Sequence, residues 1–454
     1  MSRPPSDQQA ETTSEVSYSS SSTTTATPEP EPATSLTTIR ASPSPLLELF
    51  NNLPRFPSLR NEGFARAILL AEYSQGPAVL LTAGHQTENN VRLWGSVLPA
   101  LGLRHTAICE GILALATLFM CFNQLEQYLS TRPSAQQTIT DFDNLTEPVL
   151  LQARTHYGKC LNALRESVSV GVETQAEVAL ACSMLLAPYS IAHTRLHRVR
   201  HRLQSQSPSE AEPDRTRILS PPLDFTWMSF VHGMTALTSS LFAQPSLPSS
   251  PIMPYFTWLR GDAMLGPLPI PRPDTGSSGL EEHIIFSHRM LLVIVTEGPS
   301  ALQQLLTKLH LLQSASPRQP EKDIQTCLTA VRSLQILFDD FNQCILARED
   351  QPYHRVHMMW VSRMKVAFFD LLVAGNWMAL TVYSHWLVYA ILLEGLWHIN
   401  DLGVGTLREI LPTLQESNDY NPAAMAESAF ATATGRDLIV WPTRILQIYD
   451  AENS

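Results

Sequence analysis

Positive charge is in short supply in this chain. Over 454 residues, 31 Lys and Arg stand against 42 Asp and Glu, giving a formal net charge of −11. A surface with that balance gives a phosphate backbone no general counterion, which argues against direct gripping of nucleic acid. Cysteine is scarce as well. The six, Cys109, Cys121, Cys160, Cys182, Cys327 and Cys344, include no CxxC pair, and in apolar helical contexts they read as reduced structural thiols. The motifs GxxxxGK[ST], GxSxG and HExxH are all missing, which removes the common signatures of phosphate loops, serine hydrolases and zinc proteases. Gly403-Val404-Gly405 has no third glycine and follows no strand, so it reads as a turn and not a nucleotide site. No cationic segment followed by an apolar core opens the chain, which predicts a cytosolic or nuclear compartment. The lone sequon Asn144-Leu145-Thr146 is then incidental.

Hydroxyls and helical periodicity are what the chain has in plenty. Residues 1–45 hold 20 Ser or Thr and seven Pro with hardly any large apolar side chain, a composition that cannot offset its ordering entropy. That predicts a disordered amino-terminal tail. Its only basic residues are Arg3 and Arg40, so it is no DNA-gripping arm, although its hydroxyls offer phosphorylation sites. From Leu46 on, apolar residues recur at helical spacing. Residues 107–122 are apolar on all sides except at Glu110, which suits a core helix. Tyr157, Cys160, Leu161, Leu164 and Val168 make one buried stripe. Ser300 with Gln303 predicts a capping-box start, with Leu302, Leu305, Leu306 and Leu309 facing inward. Ile324, Cys327, Leu328, Val331, Leu334 and Phe338 repeat the pattern. Strand-like alternation is scarce, so the expected class is all-α over residues 46–450. Two interruptions, 203–222 and 244–280, read as Pro-rich loops between packed helices, the second with eight prolines from Pro245 to Pro273.

Three segments carry candidate chemistry. Leu371 to Leu393 has no formal charge over 23 residues, long enough to span a membrane, yet Gly375, Asn376, Thr381, Ser384 and His385 interrupt it and Asp370 and Glu394 close it. In HTRLHRVRHR, His193, His197 and His201 fall on one helical face at a spacing that can ligate zinc. The interleaved Arg195, Arg198, Arg200 and Arg202 oppose a divalent cation; they mark either a solvated basic helix end or a patch for an anion or partner. No metal and no cofactor is expected there. Asp339-Asp340 and Asn418-Asp419 partly resemble the two magnesium motifs of class I terpene synthases, in which carboxylates hold metal on a diphosphate. Gln343, Pro422 and Ala426 stand where those motifs need an acid, a hydroxyl and a closing Glu.

Several stretches, taken in order, resemble one family, the carboxyl-terminal regulatory region of fungal zinc-cluster transcription factors, of the sterol-uptake-regulator type. They are RLWGSVLPALGLRHTAICEGILALATLF (92–119), HYGKCLNALRESV (156–168), QAEVALACSMLLAPYSIA (175–192), TWMSFVHGMTALTS (226–239) and MALTVYSHWLVYAILLEGLWHINDLGVGTLREI (378–410). The resemblance implies a large all-helical regulatory domain, in which 378–400 is a buried helix and Trp377, Trp386 and Trp397 pack in the core with polar partners for their N–H groups. It also implies a nuclear, non-enzymatic protein. The family's six-cysteine zinc cluster has no counterpart before Cys109. Direct DNA binding is therefore not carried over. Either no such unit exists, or the protein works through a DNA-binding partner or coactivator, or the unit lies upstream of Met1. An apolar small-molecule ligand among helices 107–122, 175–190 and 377–399, and control of a secondary-metabolite gene cluster, follow from the resemblance by analogy. Two rivals remain from the residues alone: a magnesium-dependent terpene-synthase-like enzyme and a single-span membrane protein.

Overall fold

The computed structural model describes residues 62–82, 88–131, 138–170, 172–206, 223–242, 251–252, 288–315, 321–346, 360–394, 396–419 and 437–453. The Ser/Thr-rich segment 1–45 and all but Pro251 and Ile252 of 244–280 lie outside these. The interpretable part is 90% helical with no strand, which makes the fold all-α. The described residues all belong to one unit, Thr38–Ser454.

The chain opens with α1 (Glu62–Gln75), α2 (Pro77–Leu80) and α3 (Glu88–Arg92), then a π-helical turn over Leu93–Val97 and α4 (Leu98–Arg104). Next comes α5 (Thr106–Thr131), whose residues 110–122 are buried on every side, as a run with Glu110 as its one charge requires. Around it pack α1, α4, α6 (Ile139–Val170) and α7 (Val172–Gln206). The helix α8 (Thr226–Phe242) lies on α7. The remaining elements are α9 (His288–Ala315), α10 (Glu321–Leu346), α11 (Val366–Val373), α12 (Trp377–Ile391), α13 (Gly403–Asp419) and α14 (Val440–Glu452), with α12 in contact with α9, α10, α11, α13 and α14.

Periodicity predicts α10 residue by residue: Ile324, Cys327, Leu328, Val331, Leu334 and Phe338 are all buried. Elsewhere packing moves the boundaries. On α6 the stripe ends on Ser167, 2% exposed, and Val168 is 48% exposed. A step of three from Leu164 keeps the inward face, and the buried Ser167 hydroxyl is satisfied by donating to the Ala163 carbonyl and to Gln175 Oε1, each at 2.8 Å. The expected start at Ser300 is a continuation: α9 begins at His288 and runs through Pro299. Pro299 removes one N–H, but Met290 and Ile294 extend the buried face of Leu302, Leu305 and Leu309 upstream, and that burial outweighs one lost hydrogen bond. The basic helix α7 likewise extends through Gln206, four residues into the loop expected from 203. Residues 207–222 lie outside the described set.

The uncharged run 371–393 is not one helix. It is cut into α11 and α12, which are bent by 104° at the break. Gly375 sits at φ 68, the left-handed conformation glycine adopts without penalty, and Asn376 caps α12 by accepting the N–H groups of Met378 at 3.0 Å and Ala379 at 3.3 Å. Every residue from Met378 to Ile391 is buried against other helices. Two further helices, Thr106–Thr131 and Gln175–Gln204, are long and apolar enough to cross a membrane, and both are mostly covered by the rest of the fold.

Gly403 is no free turn either, since it starts α13 against the end of α12. A Cβ there would lie 2.5 Å from the Ile391 nitrogen and 2.8 Å from the Ala390 carbonyl carbon, and backbone cannot step aside. Gly403→Ala should cost about 2–3 kcal/mol, at the upper end of overpacking losses, read as a lower urea midpoint. The control is Gly63→Ala on α1, where a Cβ meets nothing within 4 Å, and it should leave the midpoint unchanged or slightly raised.

Candidate functional site

The basic end of α7 is the segment with the densest charge, and its surroundings decide its chemistry. Arg195 pairs with Glu126 near the end of α5 and lies over the Phe122 ring, 5.0 Å from its centre. Arg198 is 8% exposed. Its Nε donates to Glu409 of α13 at 3.0 Å, Nη1 to the Asp401 carbonyl at 2.8 Å and Nη2 to Thr406 Oγ1 at 2.6 Å. Arg200 pairs with Asp143 of α6 at 2.9 Å, and Arg202 approaches Asp401 at 3.9 Å. The four arginines proposed as an anion or partner patch therefore each face a carboxylate of this same chain. Their positive charge is spent on fastening α7 to α5, α6 and α13, so the cationic face suggested by the linear sequence is largely neutralised in three dimensions.

Among the histidines, the rings of His193 and His197 do meet, with centres 4.7 Å apart. They continue an aromatic ladder in which Tyr157 stacks on Tyr189 at 4.5 Å and Tyr189 on His193 at 5.8 Å. Burial, then the proximity of His197 and Arg154, pushes His193 down to about 4, although Asp224 opposes this. His197 moves in the same direction, mainly through burial and Arg154. Both shifts favour the neutral imidazole, with His193 stacked on Tyr189 and His197 meeting His193 edge-on. No group of three or more His, Cys, Asp or Glu positioned to hold a metal occurs among the described residues.

Asp339 and Asp340 lie on α10. Burial raises Asp340 above the usual carboxylate range, while Arg363 pulls it back. Asp419 ends α13, and residues 420–427 of the second magnesium-like stretch lie outside the described residues. The geometry of that pairing is therefore not part of the described fold.

The chain matches no family model, no curated protein and no solved structure.

Two polar clusters arise that the linear reading did not single out. Glu110, the one charge in an otherwise apolar stretch, is 2% exposed in α5. Its carboxylate gathers Arg66 of α1 at 2.7 Å and, from α6, His156 Nδ1 at 2.6 Å and Lys159 at 3.7 Å. A buried carboxylate requires such company, and Glu110's isolation in an apolar run was the available signal. The second is the turn after α12, where the Asp401 N–H donates to Glu394 and the Asp401 carbonyl accepts from Arg198 of α7. At the centre of the core, Trp386 is fully buried and stacks between Trp227 and Trp360 at 5.8 and 5.7 Å, with Tyr383 at 5.4 Å. Trp397 packs edge-on against Phe119 and Phe122 of α5 at 5.3 and 6.1 Å. Its N–H finds no acceptor among the described residues, contrary to the expectation of a polar partner. Trp360, by contrast, donates to the Ala330 carbonyl at 3.0 Å.

Proposed function

We propose that this protein is a nuclear transcription regulator whose helical domain works through protein partners, a DNA-binding factor or coactivator foremost, in control of a fungal secondary-metabolite gene cluster. The observation that carries the reading is the placement of the five stretches resembling the zinc-cluster regulatory region. The first four are mainly helical and pack in chain order, α5 on α6, α6 on α7 and α7 on α8, and within the fifth α12 packs on α13. Arg198, on the same helix just beyond the third stretch, ties α7 to the last one through Glu409 and Thr406. Neutralisation of the α7 arginines within the chain, together with the net charge of −11, favours recruitment through a partner over contact with DNA phosphates. An apolar regulatory ligand would belong where α5 meets the segment after α12, beside the unmatched Trp397 N–H.

Chromatin immunoprecipitation of the tagged protein expressed from its own locus tests this reading. Promoter occupancy that disappears when a DNA-binding partner is deleted is the expected result. Absence from the nucleus would overturn it and turn attention to magnesium-dependent diphosphate turnover, with Asp339→Ala and Asp340→Ala as the decisive variants.

A further inference from the structure

Two of the cysteines come from neighbouring helices and meet. Cys160 of α6 and Cys182 of α7 are both fully buried where these helices pack together, and both are free thiols. Their side chains are hydrogen-bonded to each other. The backbone of α5 locates the same contact from a third direction: a Cβ on Gly111 would lie 3.0 Å from Cys160 Sγ and 3.2 Å from Leu185 Cβ, so the Cys160 sulfur sits beside the face of α7 that carries Leu185. Cys182 stands three residues before Leu185, which puts it on that face. Glycine at 111 leaves the space that the sulfur fills. The remaining described thiols are different, since the charged groups acting on Cys109, Cys121 and Cys327 are carboxylates and arginines, and none of the three is set against a second sulfur among the described residues. Packing asks only for a small apolar residue at positions 160 and 182. Two sulfurs held against each other can also bond.

We propose that Cys160 and Cys182 form an oxidation site, a thiol pair that a hydroperoxide converts into a disulfide fastening α6 to α7. One sulfur attacks the peroxide and breaks its O–O bond, becoming a sulfenic acid, and with hydrogen peroxide the other oxygen leaves as water. The second sulfur then attacks the sulfenic sulfur and expels its hydroxyl as a second water. The two thiol protons leave in those waters, and the two electrons lost by the sulfurs reduce one peroxide. Sulfurs already in hydrogen-bond contact need only a small side-chain shift to reach the disulfide length of about 2.0 Å. The hydrogen bond to Cys182 and then burial push the Cys160 thiol well above its ordinary value. At rest the pair is therefore reduced and slow to react, and a small uncharged oxidant reaches it when the helices briefly part. The bond closes a loop of about twenty residues, so it should hold the α6–α7 hairpin together once formed.

The test is peptide mapping of the full chain. The protein is treated with hydrogen peroxide in native buffer, alkylated in urea and digested with trypsin without reduction. Cleavage after Lys159, Arg165 and Arg195 puts the two cysteines on separate peptides, 160–165 and 166–195. The expected product is those peptides joined, lighter by two hydrogens than the reduced pair and separated by dithiothreitol. Urea should then unfold the oxidised protein at a higher midpoint, with the unfolding equilibrium lowered roughly a hundredfold, as a loop of that length implies, and dithiothreitol should reverse the gain. Cys182→Ala should show neither the joined peptides nor the gain. Recovery of Cys160 and Cys182 in alkylated form, under treatment that oxidises the part-exposed Cys109, overturns the proposal. So does a joined pair with an unchanged midpoint, or a gain that persists in Cys182→Ala. Should that variant fail to fold, the wild-type map and midpoint, before and after dithiothreitol, decide by themselves.

Discussion

Arg198→Ala should lower the stability of the domain by about 3–5 kcal/mol, the range seen when one partner of a buried ion pair is removed. The reason lies in what is left behind more than in what is lost. Glu409 is already pushed up by burial despite Arg198, and without the guanidinium it becomes an unmatched, largely covered carboxylate. The Asp401 carbonyl and the Thr406 hydroxyl lose their donor at the same stroke. Urea unfolding followed by circular dichroism reads the loss. It should be smaller at pH 5 than at pH 8, because Glu409 in the variant can escape its penalty by taking a proton in the folded state, and that relief fades as pH rises. Arg198→Lys should recover less than half, since one ammonium cannot reach three acceptors arranged around a planar fork. An Arg198→Ala variant with an unchanged midpoint would mean that α13 is not held to α7 through this side chain.

Trp386→Ala should be of similar size, about 3–5 kcal/mol, the range for emptying a buried tryptophan site. Trp386 is stacked by rings from two other parts of the chain, Trp227 on α8 and Trp360 just before α11, and by Tyr383 of its own helix, which Phe225 backs edge-on. Each stacked pair contributes about 0.5–1.5 kcal/mol beyond the area it buries, so the truncation loses several at once. The surrounding rings are rigid and poorly able to collapse into the space. Trp386→Phe keeps part of the stack and should cost about half as much. The check is the urea midpoint together with the near-ultraviolet dichroism of the aromatic core. Alanine should abolish the fine structure of that spectrum well before the helical signal goes, because the rings lose their fixed setting while each helix keeps its own hydrogen bonds.

What could be read directly from the residues was whatever one helix states within itself. The six inward positions of α10 follow from spacing, and α5 is buried all round because its residues 111–122 carry no charge. The all-helical class follows for the same reason, since a 3.6-residue repeat is local and is repeated in almost every segment. Gly375 and Asn376 were legible as interruptions of the uncharged run, although the cap that Asn376 gives α12 and the 104° bend were not. That angle depends on what α11 and α12 pack against.

Fates that depend on a distant partner were settled in the assembled fold. Ser167 takes the inward position on α6 because Gln175 of α7 stands ready to accept its hydrogen bond. The upstream half of α9 persists through Pro299 because Met290 and Ile294 find a core to enter. The α7 arginines look like a cationic stripe in the linear chain, yet Glu126, Asp143, Asp401 and Glu409, up to 211 residues away, answer them. Glu110 and Glu394 looked like a lone charge and a closing charge, and both became hubs once other elements brought their partners to them. Helical periodicity is a property of neighbours along the chain and survives any arrangement of the helices. Charge pairing, ring stacking and the state of a buried acid depend on which surfaces meet, and that is a property of the packing alone.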